Sequence, residues 1–160
     1  MLAGRFRKLS ICHSIKLAGI LFSKPFLILP TLNATRETLK LCEKLFPGEH
    51  HADNKANAFR HALWNYLICV KCLRESKSIE RVIAWSKKIT DLHEDLAPNS
   101  KIARAMDLHN NKIGRDFFAE NIEFQQENID KLRRKLHTAI KISSVEDIKP
   151  AKNELVYIED

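Results

Sequence analysis

"NAFRHALWNYLICVKCL", residues 57–73, is the stretch whose reading decides the fold. Phe59, Ala62, Leu63, Tyr66 and Val70 recur at steps of three and four, the spacing of one face of an α-helix. Asp53 or Asn54 stands ready to cap its start, and the helix is expected to run through about residue 74. The same stretch also places Asn57, His61 and Asn65 four residues apart, so a second line of side chains carries hydrogen-bonding groups. That line needs an explanation.

Outward from this segment, the whole chain reads as helical. It has 160 residues, one domain's worth, with 44% hydrophobic and 29% charged residues, which fits a globular rather than a disordered chain. Only 4 Gly and 5 Pro occur, too few for a sheet rich in turns. The expected fold is all-α, a single-domain orthogonal bundle of about five to six helices. An N-terminal amphipathic segment (1–30) and a polar C-terminal tail (143–160) would flank the central domain (31–142).

Residues 5–23 suit an amphipathic helix stopped by Pro25 and Pro30, and Asn33 or Thr35 can cap the next helix, which halts at Pro47-Gly48. Leu39, Cys42, Leu45 and Phe46 form its stripe. Ser78 caps "IERVIAWSKKITDLHEDL" (79–96), where Ile79, Val82, Ile83, Ser86, Ile89, Thr90 and His93 share a stripe, so His93 is expected to point inward. A helix or helix pair follows over about 100–121, then the charged amphipathic "FQQENIDKLRRKLHTAIK" (124–141), then a loose polar tail.

The net charge of +7 admits nucleic acid, anionic lipid or an acidic protein as partner, and equally a surface merely rich in lysine. Cys12, Cys42, Cys69 and Cys72 read as unpaired thiols of a reducing, cytoplasmic compartment. The "CVKC" pair (69–72) lacks the second ligand pair of a zinc site and the preceding strand of a redox motif. His13, Lys16 and Lys24 interrupt the apolar N-terminus, which leaves no transmembrane run and no convincing signal peptide. Residues 1–30 are instead a candidate membrane-surface contact.

Three polar lines stand where a plain bundle would carry aliphatics: Asn57, His61 and Asn65; His93-Glu94; and Asp107, Asn111 and Arg115 within "MDLHNNKIGR" (106–115). An unpaired buried polar group costs about 1–3 kcal/mol, so three such lines on three successive segments imply a shared cleft. His61, His93, Glu94 and Asp107 are candidate ligands for a divalent ion, zinc or else magnesium or calcium; with no ion, a His61–Asp107 dyad would activate water. Asn65, Asn110 and Asn111 offer amides to a water or a phosphate oxygen, and Arg115 is a candidate clamp for an anionic group. Gly114 would let a backbone approach closely. Each has a plainer structural role: His61 as a core histidine, Asp107 as a cap, Arg115 as a partner to Asp107 or Glu94. His109 lies on another helical face, His50-His51 sit in a solvated loop, and Trp64 and Trp85 read as core.

"NAFRHALWN", "LHE" and "MDLHNNKIGR", in that order over about residues 30–120, resemble an uncharacterised bacterial all-helical family with [DN]AFRHAxWN, His-Glu and MDxHNNxxGR motifs, often at the C-terminal end of secreted or toxin-like proteins. The resemblance implies a site at Arg60, His61, Trp64, Asn65, His93, Glu94, Asp107, Asn110, Asn111, Gly114 and Arg115, with Arg60 and Trp64 added as substrate contacts. Asn57 stands where that family usually carries an acid. The resulting expectation is a metal-assisted hydrolase acting on a phosphodiester or phospholipid-like anion, as a delivered effector. The alternative is a non-enzymatic module, binding nucleic acid or protein, whose polar network only organises the core. No G-x-S-x-G, H-E-x-x-H, P-loop or Rossmann fingerprint occurs.

Overall fold

The structure, a computed structural model, describes residues 19, 23–49, 52–97, 99–123 and 126–159. The expected helix over residues 5–23, Cys12 and His50-His51 fall almost wholly outside these. Six helices are described, five of them substantial, and they pack as a bundle around the helix Lys55–Ser76. A 3₁₀ turn, Pro25–Leu27, leads straight into α1, Ile28–Leu45. This helix starts earlier than either cap candidate suggested. Pro30 falls in its first turn, where a backbone N–H has no helical partner to lose. Asn33 and Thr35 are therefore interior, and Thr35 bonds back to the Thr31 carbonyl at 2.9 Å.

α2 spans Lys55–Ser76, with the Asn54 side chain accepting from the Asn57 N–H at 3.1 Å and Lys77 closing it in a left-handed conformation. Its middle is buried all round, because α1, α3 (Ile79–Leu96) and α4 (Lys101–Glu120) each cover one side. Ser78 and Ser100 cap α3 and α4 through the Arg81 and Ala103 amides, each at 3.2 Å. Trp64 and Trp85 bind α1 to the others by donating to Thr35 and Thr31, both at 2.9 Å. α5 (Gln126–Arg134) and a 3₁₀ turn (Lys135–His137) close the bundle.

Residues 143–159 differ from the expectation of a loose tail over 143–160. β1 (Ile140–Lys141) and β2 (Val156–Tyr157) pair in parallel around a short α6 (Ile148–Ala151). Ile142, Ala151, Leu155, Val156 and Tyr157 are buried, the first, second and fourth of them with Met106 of α4. Ile158 and Glu159 donate to the Asp53 carbonyl at 2.8 and 3.0 Å, so the tail straps the start of α2 to α4. Five apolar residues spread over sixteen positions show no helical or strand period, which is why the pattern hid them.

Cys42, Cys69 and Cys72 are buried free thiols, and burial pushes the thiols of Cys42 and Cys69 up to about 12. They are packing residues. No described helix is long and apolar enough to cross a membrane.

Gly114 sets the spacing of α2 and α4. A Cβ there would lie 2.9 Å from the carbonyl carbon and Cα of Ala62, and nearer still to its carbonyl oxygen. Backbone cannot yield as a side-chain tip does, so Gly114→Ala is expected to destabilise the protein by about 3 kcal/mol. Urea unfolding checks this, and a midpoint equal to the native one would contradict the close approach.

Candidate metal centre

The three polar lines converge. Asn57, His61 and Asn65 from α2, Glu94 from α3, and Asp107, Asn111 and Arg115 from α4 are all buried. His61 Nε2 is 3.3 Å from Asp107 Oδ1, and His61 Nδ1 is 3.1 Å from Asn111 Oδ1 and 3.5 Å from Glu94 Oε1. One ligand-type atom from each of His61, Glu94 and Asp107 lies within 4.8 Å of the other two. Among the described residues this is the only group of three or more such side chains arranged to share an ion.

The hydrogen-bond directions can be worked out from Arg115, because a guanidinium only donates. Its Nη1 gives to Asn65 Oδ1 at 2.8 Å, and the Ser86 and Thr90 hydroxyls give to the same oxygen at 2.9 and 3.2 Å. Asn65 Nδ2 must then donate, to the His61 carbonyl at 3.0 Å and to Asn111 Oδ1 at 2.7 Å. Asn111 Oδ1 is thereby an acceptor, so His61 Nδ1 carries the ring proton. The lone pair is left on Nε2. That orientation, with the far ring nitrogen tied down by a carbonyl oxygen, is the one a metal-binding imidazole needs.

Arg60 anchors the opposite end. Its Nε donates to Asn57 Oδ1 at 3.1 Å, its Nη2 to the same oxygen and to His61 Nε2 at 3.0 Å. Asn57 Nδ2 consequently faces Asp107 Oδ1 at 3.4 Å, while Asn99 donates to Asp107 Oδ2 at 3.2 Å.

Burial pushes the Glu94 and Asp107 carboxyls up, and Glu94's charge pushes Asp107 further. Two buried carboxyls in one cluster repel each other when both are charged, which favours a proton on one of them or a cation between them. Glu94 Oε2 is buried and meets no donor among the described residues. His61 is held neutral, first by burial and then by the Arg60 charge. Arg115's pKa is likewise lowered by its burial.

Several expectations need correcting. His93 is exposed on α3 and stacks edge-on against Trp64 at 5.2 Å, because the row meeting α2 and α4 advances by fours, Ser86–Thr90–Glu94. Its neighbour Glu94 points inward instead. Arg115 is neither an open clamp nor a partner of Asp107 or Glu94; its Nη1 is committed to Asn65 and reaches Thr90. Asn110 faces the tail, exchanging two hydrogen bonds with the Val156 backbone at 2.9 and 3.0 Å, and His109 contacts the Glu154 carbonyl at 2.8 Å. Ser86, Thr90 and Asn99 were not singled out from the sequence as site residues. Two hydroxyls four apart on an apolar stripe were the available signal for the first pair.

Fold and cluster together define an all-helical domain organised around a buried imidazole–dicarboxylate group. The chain belongs to the family described as Domain of unknown function (DUF6973), whose model matches residues 18–141. No curated protein and no solved structure matches it.

Stability should follow the carboxyls. A folded pKa above the unfolded one means the native state holds the extra proton, so the metal-free protein loses stability as pH rises through neutrality. His61, lowered, acts oppositely but only below 6.5, where the unfolded chain alone is protonated. Above 6.5 the urea midpoint of metal-free protein should therefore fall, and Asp107→Asn should remove most of the fall. A midpoint that rises there would contradict the raised carboxyls.

Proposed function

We propose that the domain is a metal-assisted hydrolase acting on a phosphodiester or phospholipid-like anion. One observation carries the reading: a ring nitrogen of His61 and an oxygen from each of two buried carboxyls lie within 4.8 Å of one another, the Nε2 lone pair being beside Asp107, and Glu94 Oε2 meets no donor among the described residues. A divalent ion removes both costs at once. It neutralises the paired carboxylates and gives the orphan oxygen a partner.

One imidazole and two carboxylates suit zinc, with magnesium or calcium favoured if oxygen donors dominate. Three protein ligands leave positions for water and a substrate oxygen, and the ion would lower the pKa of that water. Arg60, half-buried beside the cluster, is the candidate contact for the anionic group, in place of Arg115. Exposed Phe26 and Leu29 support a membrane-surface contact by residues 1–30, which would suit a phospholipid substrate. The resemblance to domains at the ends of secreted, toxin-like bacterial proteins supports a role as an effector.

A second reading has its own observation. His61, Glu94 and Asp107 are 2%, 1% and 3% exposed, as in a network that serves only to specify the core of a nucleic-acid or protein-binding module. Isothermal calorimetry with Zn²⁺ and Mn²⁺ separates the two, followed by assay on bis(p-nitrophenyl) phosphate. Glu94→Gln, close in shape to the protonated acid, should stay folded and lose at least about 100-fold in metal affinity, together with activity. Native protein that binds neither ion would end the enzymatic reading and leave the module.

A further inference from the structure

We propose that Arg60 is a displaceable counter-ion of this site. Its guanidinium occupies the Nε2 side of the cluster while no metal is bound, and the entering ion expels it to grip a phosphate group. The inference rests on the metal reading above and adds an order of events to it.

The guanidinium stands where the ion's bond would form. A metal held by His61 needs the Nε2 lone pair, and Arg60 Nη2 takes that lone pair at 3.0 Å. Both cannot hold it. Among the described residues, Arg60 is the cation whose charge is seen to act on both Glu94 and Asp107; Arg104 is seen to act on Glu94. It thus supplies part of the positive charge that two buried carboxyls require, and a divalent ion would supply more. Once the ion is in place, a guanidinium beside it meets like charge in a poorly screened setting.

Arg60 has a way out, which Arg115 lacks. It is half-buried, whereas Arg115 is buried with Asn65 and Thr90. One of its anchors, Asn57 Oδ1, is a neutral amide oxygen. Released, its planar fork lies next to the ion's open positions and matches two phosphate oxygens. Phosphate affinity should then depend on prior metal binding. A free cluster would show little.

The test is calorimetry on the full chain, native and Arg60→Gln, with Mn²⁺ alone and then with inorganic phosphate in the presence and absence of Mn²⁺. If the guanidinium covers the site nine-tenths of the time, Arg60→Gln should bind Mn²⁺ about tenfold more tightly than native protein. Mn²⁺ should strengthen phosphate binding in native protein and much less in the variant. Equal or weaker Mn²⁺ binding by folded Arg60→Gln, with native protein still binding the ion, overturns this inference and spares the metal reading. No binding by either protein overturns both. A readout on native protein alone covers a variant that fails to fold: the Arg60 Nε–H signal should be protected from exchange without metal and lose that protection on saturation with Zn²⁺. Protection that persists at saturation also overturns the proposal.

Discussion

A guanidinium can donate hydrogen bonds and cannot accept them, and the interior of this protein is built on that asymmetry. Arg115, sunk into the core, tells Asn65 which way to turn. Asn65 tells Asn111, and Asn111 puts the proton of His61 on Nδ1. Arg60 does the same for Asn57 from the other end. Amides can usually be turned over at small cost; here each is fixed by a neighbour whose role is already decided. The imidazole at the centre therefore keeps its lone pair on Nε2, beside Asp107 and the Arg60 guanidinium, before anything else binds.

That arrangement needs helices at close quarters. α2 and α4 approach at Gly114, where no side chain intervenes, and the relay crosses between them one turn on either side. The strap formed by residues 140–159 fastens the same end, with Asn110, the neighbour of Asn111, holding Val156 and the Asp53 carbonyl holding Ile158 and Glu159. The family match covers residues 18–141, so most of this strap lies beyond it, yet the strap packs on the helix that carries Asp107. Rigidity around the cluster comes from both sources.

Much of this was legible in the sequence. Asn54 and Ser78 were recognisable caps, the helical period of residues 57–73 was unbroken, and the lines through His61 and Asp107 were visible as polar residues four apart. The choice between His93 and Glu94 was not legible. Adjacent residues differ by 100° around a helix, and which one faces inward depends on how α3 lies against its neighbours, a property of packing rather than of its own pattern. Arg115 misled for a different reason: an arginine among polar residues looks like a clamp until its burial is known. The tail failed because its few apolar residues pack at irregular intervals and its backbone bonds go to Asn110 and Asp53, neither of which leaves a side-chain period.

Nitrogen-15 NMR of the His61 ring tests the central claim directly, since the two nitrogens of a neutral imidazole give distinct signals when one carries the proton. Metal-free protein near neutral pH should show a single neutral tautomer with hydrogen on Nδ1 and an unprotonated Nε2. A proton found on Nε2 would contradict the relay from Arg115, and with it the account of how this site is prepared for an ion.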